Sequence, residues 1–460
     1  MSDFLFEDFE AVSLKQWKQK IQVDLKGLDY NDSLVWKTNE GIDVKPAYHQ
    51  DGLSDTIPNL KTSKGWSITQ HIYVLNTEQS NKNALDIINR GAEAIIFELD
   101  NQNINLATLL GGINLSNITV YLKPQFLNAD VVTQINQLID STSNVFMLAD
   151  PIGQLAKSGN WFQNSIADLE TLDQCISNAH NLKSIVAVNT DLYHNAGATV
   201  TQQLAYTLAH VNEYINHINE YDQDHLKDLC VTINMAVGSN YFFELAKLRA
   251  VRFLFKQLAN EYDSTINCHI IVSPGKRNKT LYDYNVNMLR STTECMSAIL
   301  GGADAVYNLP YDAIYHKNNE FGDRIARNQL LILKNESYFD KVENPSDGSY
   351  YIESLSIQLA EKALALFKDI EKAGGFLKQL KEGVIQRKIK EAAAKQQQQF
   401  DDEQNILIGT NKYPNKQDKM KENLELFPFM KTKPRKTSIE PIIEKRLAEV
   451  LEQKRLDTEE

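Results

Sequence analysis

The run Ser273, Pro274, Gly275, Lys276, Arg277, Asn278 and Lys279 places three cations in seven residues, directly after a β-rich apolar stretch. A loop after a barrel strand is a place where phosphate can bind. The spacing is not that of a Walker loop, and the plain alternative is a solvated basic turn. Asp150, Asp191 and Asp304 stand at the ends of apolar runs, but they do not form a spaced metal set, and strand-end carboxylates often cap helices instead. Cys175, Cys230, Cys268 and Cys295 are far apart and form no CxxC pair, so neither a zinc site nor a disulfide framework is signalled. They read as reduced core residues, and Cys295 shares an apolar helical stripe with Met288 and Ile299. No metal is assigned.

The elements that must position these groups form a repeat. From about Trp66 to Ser337, short β-rich apolar runs alternate with amphipathic helical stretches. The runs are Ile68 to Leu75, Ala94 to Leu99, Ile118 to Leu122, Val145 to Leu148, Ile185 to Val188, Val231 to Val237, His269 to Val272 and Ala303 to Leu309. Runs apolar on both faces suit parallel strands buried under helices. Val200, Leu204, Thr207, Leu208, Val211, Ile215 and Ile218 fall at spacings of three and four, which predicts one continuous helical face. Phe243, Ala246, Ala250, Phe253 and Leu254 do the same for the next helix, and Gly301 and Gly302 sit where the following one must stop. Eight such units match the usual size of about 250 residues for a closed (β/α)8 TIM barrel. A doubly wound open sheet is the alternative.

The chain accordingly divides into an N-terminal arm (1–65) with a helix near Ser13 to Leu25, the barrel (66–337), and a helical extension with a charged tail (338–460). In the extension, Leu359, Ala363, Leu366, Phe367 and Ile370 mark a helix closed by Gly374 and Gly375, and a second runs to about Phe400. Gln396 to Gln399 reads as a polar helix end, and the tail from Lys416 predicts one helix over Ile439 to Arg455. Arms and tails outside a complete barrel serve partner contact or linkage, so association is expected.

Composition narrows the function classes. In 460 residues, 48 basic against 60 acidic side chains give a net charge of -12, which argues against nucleic-acid or acidic-membrane partners. The start, Met1 to Glu10, is acidic, and no apolar stretch reaches about 18 residues, so a cytoplasmic protein is expected.

Several segments resemble the methylmalonyl-CoA mutase family: RIARNQLLIL from Arg324, NPSDGSYYIESL from Asn344, NYFFELAKLRAVRFL from Asn240 and YHNAGATVTQQLAYTL from Tyr193. LVWKTNEGIDVKP from Leu34, GWSITQHI from Gly65, ILGGADAVYNLPYDA from Ile299 and ILIGTNKYP from Ile406 follow the same family order. The resemblance implies a barrel in which adenosylcobalamin supports the radical interconversion of methylmalonyl-CoA and succinyl-CoA. It also implies that cobalamin sits on a flavodoxin-like domain whose D-x-H-x-x-G segment supplies the lower axial histidine. In this sequence His225 follows Asp224 directly, and the other eight histidines also lack that pattern. The expectation is that adenosylcobalamin belongs to the assembled complex only and is held by another chain, not by this one alone.

By the same resemblance, Tyr193 and His194 match the Tyr-His pair that lines the substrate pocket of catalytic members, where the imidazole meets the thioester carbonyl. They are the candidate catalytic residues here, and the alternative is an inherited, structurally satisfied pair. The surroundings depart from the catalytic pattern. Tyr-His-Met-Gln-Glu-Ala-Gly is shortened to Tyr193, His194, Asn195, Ala196 and Gly197. Cys230 and Thr232 stand where catalytic members place Arg and Ser; Tyr311, Asp312, Ala313 and Ile314 replace Phe-Asp-Glu-Ala; and Phe97 leads to Glu98, Leu99, Asp100 and Asn101 instead of Asp-Leu-Ala-Thr-His. The Tyr and Arg expected before the first strand have no match among Leu53 to Ser63. These departures, with LADPIGQLAKSG from Leu148, resemble the small, non-catalytic subunit of two-chain mutases. A heterodimer with a larger homologous subunit, handling acyl-CoA in the complex, is the expected assembly. A catalytic barrel served by a separate cobalamin-binding protein, or a CoA-thioester-binding regulator without turnover, are the alternatives.

Overall fold

A computed structural model describes residues 10–53, 56–58, 65–430 and 435–459. Eight parallel strands close into a barrel: Ser67–Val74, Ala94–Leu99, Thr119–Pro124, Val145–Ala149, Ser184–Asn189, Cys230–Val237, Asn267–Pro274 and Ala305–Tyr307. Each strand pairs with its neighbour in sequence, and the last pairs with the first through Ala305 opposite Ser67. This excludes the open doubly wound sheet, which has free edges. Every predicted run contains one of these strands or overlaps at least half of it, and Ala94–Leu99 coincides end to end.

Alternation along the strands separates two cores. Ile95, Phe97 and Leu99 face the helices, whereas Ala94 and Ile96 face the barrel axis. The helix Val200–Tyr221 buries the predicted stripe and starts on a capping box between Thr199 and Gln202. Cys175, Cys268 and Cys295 are buried free thiols in this helix–sheet core, and Cys230 is a half-buried one packed against the barrel interior.

The arm helix, Leu14–Asp24, is capped by Ser13 and buries none of its residues. Further along the arm, Glu40 accepts from the Val200 and Thr201 amides at 2.8 Å each, which docks the arm on the exposed start of that helix. Most of Met1 to Glu10, and most of Leu53 to Ser63 that precedes the first strand, lie outside the described residues. After the barrel, Tyr350–Lys372 packs on Tyr241–Asn260 and Val200–Tyr221, and Val384–Asp401 follows.

The tail corrects one expectation. The helix predicted over Ile439 to Arg455 forms only over Glu449–Asp457. Pro441 cannot donate to a helical ladder, and the neighbouring amides are already committed. Ser438 and Ile439 donate to Gly159 O at 2.9 and 3.1 Å, Ile442 to Ala156 O at 2.8 Å, Lys445 to Asn195 O at 3.1 Å and Leu447 to Arg277 O at 2.9 Å. Residues 438–447 are therefore an extended strap laid over the loops that follow the fourth, fifth and seventh strands.

Candidate functional site: a filled barrel with a charged mouth

The axis of the barrel is occupied by side chains. Tyr121, Phe146 and His269 meet at ring-centroid distances of 5.2 Å (Tyr121–Phe146) and 4.6 Å (Phe146–His269), and the Tyr121 hydroxyl bonds His269 Nε2 at 2.7 Å. Ile96, Leu148, Ile271 and Tyr307 pack around this layer. Such packing makes the barrel a solid core.

Above it, at the C-terminal ends of the strands, the inward positions turn polar. Glu98 Oε2 lies 2.8 Å from His71 Nε2, and Glu98 Oε1 accepts from Gln125 at 2.8 Å. Burial alone would raise the Glu98 carboxyl, but the His71 hydrogen bond and the Lys123 charge outweigh it and hold its pKa down at about 2. Asn234 donates to Asn189 across the ends of the sixth and fifth strands at 2.5 Å. His71, Glu98 and Asn234 line a cavity of about 170 Å³, and an adjoining one of about 190 Å³, lined by Gln125 and Asn189, shares Glu98, Lys123, Asp191 and Lys276 with it.

Glu444 of the strap reaches into this mouth. Its carboxylate accepts from Asn195 Nδ2 at 2.9 Å and lies 3.8 Å from Lys276 Nζ. Burial would raise the Glu444 carboxyl, but Lys276 and the Asn195 hydrogen bond, with Lys157 and Lys123 nearby, keep it below its ordinary value.

Tyr193 and His194 sit in the helix Asp191–Ala196, and the turns of that helix carry both away from the mouth. Tyr193 is fully buried in the helix–sheet core, where its hydroxyl lies 2.9 Å from His210 Nδ1. His210 Nε2 in turn lies 3.1 Å from Asp150. His194 is buried between the loops after the sixth and seventh strands, so close to Gly275 that a Cβ there would overlap its ring. Burial, with Lys247 and Arg277 nearby, pushes its pKa well down, so the imidazole is neutral, and its buried Nδ1 finds no hydrogen-bond partner among the described residues. Neither side chain lines the mouth cavities, to which their helix contributes Asp191, Leu192 and Asn195.

The carboxylates behave as caps and clasps. Asp150 caps Pro151–Ser158, and Asp304 accepts from Arg252 and the Ile270 amide at 2.9 and 2.7 Å below the barrel. Among the described residues no group of three or more His, Cys, Asp or Glu is arranged to hold a metal ion.

The basic loop differs from both of its sequence readings. Lys279 is buried against Glu294 at 2.7 Å, and Arg277 is buried with donors on Gln396 and on Lys445 O, the latter at 2.7 Å. Of its three cations Lys276 alone lines these two mouth cavities, Arg277 joins it along a larger cavity beside the strap and Lys279 lines none of the three, so the loop is neither a solvated turn nor a cradle in which all three cations meet. At the positions that depart from the catalytic pattern, Cys230 packs beside the barrel interior, Thr232 bonds Ser184 at 3.1 Å, and Asp312 is buried beside His316 and Asn319.

Of the mouth groups, Lys276 lies in the basic loop that the sequence marks, whereas His71, Lys123 and Glu444 carry no such mark. For the two strand residues a signal existed: each is a polar side chain on the inward parity, His71 within an apolar run and Lys123 just after one. For Glu444 there was none.

The model of the methylmalonyl-CoA mutase family matches residues 142–456. A methylmalonyl-CoA mutase small subunit of Porphyromonas gingivalis is 33% identical over 89% of this chain and 71% of its own length. A small subunit of Streptomyces virginiae is 26% identical over 89% of this chain and 72% of its own. A methylmalonyl-CoA mutase of Cereibacter sphaeroides is 28% identical over 88%, and the alignment spans 64% of that relative, less than two thirds of it. With a closed eight-stranded parallel barrel and a family match over well over half of its residues, this chain belongs to the methylmalonyl-CoA mutase family.

Proposed function

We propose that this chain is the small subunit of an adenosylcobalamin-dependent methylmalonyl-CoA mutase, a structural partner for a larger homologous subunit that binds the corrinoid and carries out the isomerisation. The observation that carries this reading is the filled barrel: Tyr121, Phe146, His269 and Tyr307 occupy the axis, and residues 438–447 lie over the mouth. An acyl-CoA arm has no open path along that axis.

Adenosylcobalamin supplies a carbon radical when bound. The groups at this mouth do not fit it, because His71 Nε2 is engaged by Glu98 and His194 is enclosed beneath Gly275. No step is assigned to the cofactor in this chain. Tyr193 and His194 act as positioning residues, Tyr193 through His210 and Asp150 and His194 between the loops after the sixth and seventh strands, instead of polarising a thioester.

The two small-subunit relatives and the exposed apolar side chains of the arm support pairing in a heterodimer. Val12, Val23, Leu28 and Trp36 are each more than half exposed, and an arm over 1–65 would bury them against the partner. No described helix is long and apolar enough to cross a membrane, and we place the complex in the cytoplasm. Expression with and without a large mutase subunit tests the proposal: activity should require the large subunit, and the pair should co-purify. Full turnover by this chain alone with adenosylcobalamin would overturn it.

A further inference from the structure

Three lysines from different elements converge on the adjoining cavity: Lys123 from the end of the third strand, Lys157 from the helix after the fourth and Lys276 from the loop after the seventh. The carboxylates along the same lining are Glu98, Asp150, Asp191 and Glu444, of which Asp150 is engaged by Asn189, Tyr214 and His210. Glu98 is already committed to His71 and Gln125. Asp191 belongs to the helix that builds the wall. Glu444 is different in kind, because it arrives on a strap held across the mouth by backbone hydrogen bonds and meets the site as a foreign carboxylate would. Asn195 completes the recognition: its Nδ2 donates to Glu444 at 2.9 Å while its Oδ1 accepts from the Lys276 amide at 2.8 Å, so one amide aligns both the anion and the cation loop.

We propose that the barrel mouth is an anion-binding site for a small dianion with carboxylate or phosphate chemistry, and that Glu444 is its built-in occupant. The side chain fills the position of one anionic group, and the cavity of about 190 Å³ beside it has room for a small molecule. The site is made from this chain alone and does not depend on pairing with a larger subunit. A ligand must compete with a tethered carboxylate, whose effective concentration is high because the strap is held in place. Affinity in the unmodified protein is therefore weak, and removal of the charge should reveal it.

The test is calorimetric titration of inorganic phosphate and, separately, malonate into the full chain and into Glu444→Gln, whose amide oxygen can still accept from Asn195. The Gln variant should bind at least one of the two about two- to fivefold more tightly, the scale of a partly exposed charge interaction. Adding Lys276→Met to Glu444→Gln should abolish the gain. A phosphate response marks a phosphoryl ligand and a malonate response a carboxylate one. Amide hydrogen exchange gives a second readout on the unmodified protein: saturating ligand should speed exchange at Ile442, Lys445 and Leu447. Equal affinity before and after Glu444→Gln, or a gain that survives Lys276→Met, would overturn the assignment.

Discussion

Asp150→Ala should be among the most destabilising single changes in this chain. The carboxylate is buried at the end of the fourth strand and accepts from Gly153 N at 2.8 Å, Tyr214 Oη at 2.7 Å, Asn189 N at 2.8 Å and Asn189 Nδ2 at 2.9 Å. His210 adds a contact at 3.1 Å. Truncation removes a helix cap worth about 1 kcal/mol. It also strands buried donors at about 1–3 kcal/mol each, offset in part by relaxation and entering water. A loss of about 3–5 kcal/mol follows, the scale seen when one partner of a buried charged pair is removed. Asp150→Asn keeps one acceptor oxygen and should lose less. The sign with pH is also set. Burial would raise the Asp150 carboxyl, but His210 and the hydrogen bonds from Asn189 and Tyr214 outweigh it and hold it below its ordinary value. Its stabilisation is thus fully present above the unfolded value of about 3.9 and is lost as pH falls through the lower folded value. Urea denaturation of wild type and Asp150→Ala should show a gap at pH 7 that narrows below about pH 4. A gap under about 1 kcal/mol at pH 7, or one that widens in acid, would refute the reasoning.

Phe146→Ala, which empties part of the ring layer inside the barrel, should cost about 3–5 kcal/mol in the same assay, whereas a barrel with an open axis would lose far less. Gly159 has φ 78° and a Cβ there would meet Ile439 O at 2.6 Å, so Gly159→Ala should free the strap and accelerate tryptic cleavage after Lys436 and Lys445; unchanged cleavage would contradict the docking. Burial pushes the Cys175 and Cys268 thiols up to about 12 and 11 and raises Cys230 and Cys295 as well, so a disulfide-exchange reagent at pH 8 should label none of the four in the time it labels all of them in urea.

The barrel was legible in the residues because its signals are local. An apolar run such as Ala94–Leu99 and the three- and four-residue spacing of Val200–Tyr221 record burial on the element itself, and eight such units leave few ways to close. The motifs in family order carried the kinship for the same reason. Tertiary structure alone decided which way Tyr193 and His194 point, because a single helical turn after the fifth strand separates the mouth from the helix–sheet core. It also decided that Arg277 and Lys279 are buried and that residues 438–447 are extended. Those outcomes rest on partners far away in the chain, such as the Ser438 amide on Gly159 O and the Leu447 amide on Arg277 O. Local propensity cannot anticipate a backbone group whose hydrogen bond is satisfied by a distant loop, and at the mouth of this barrel such bonds outweigh the helical preference of the tail.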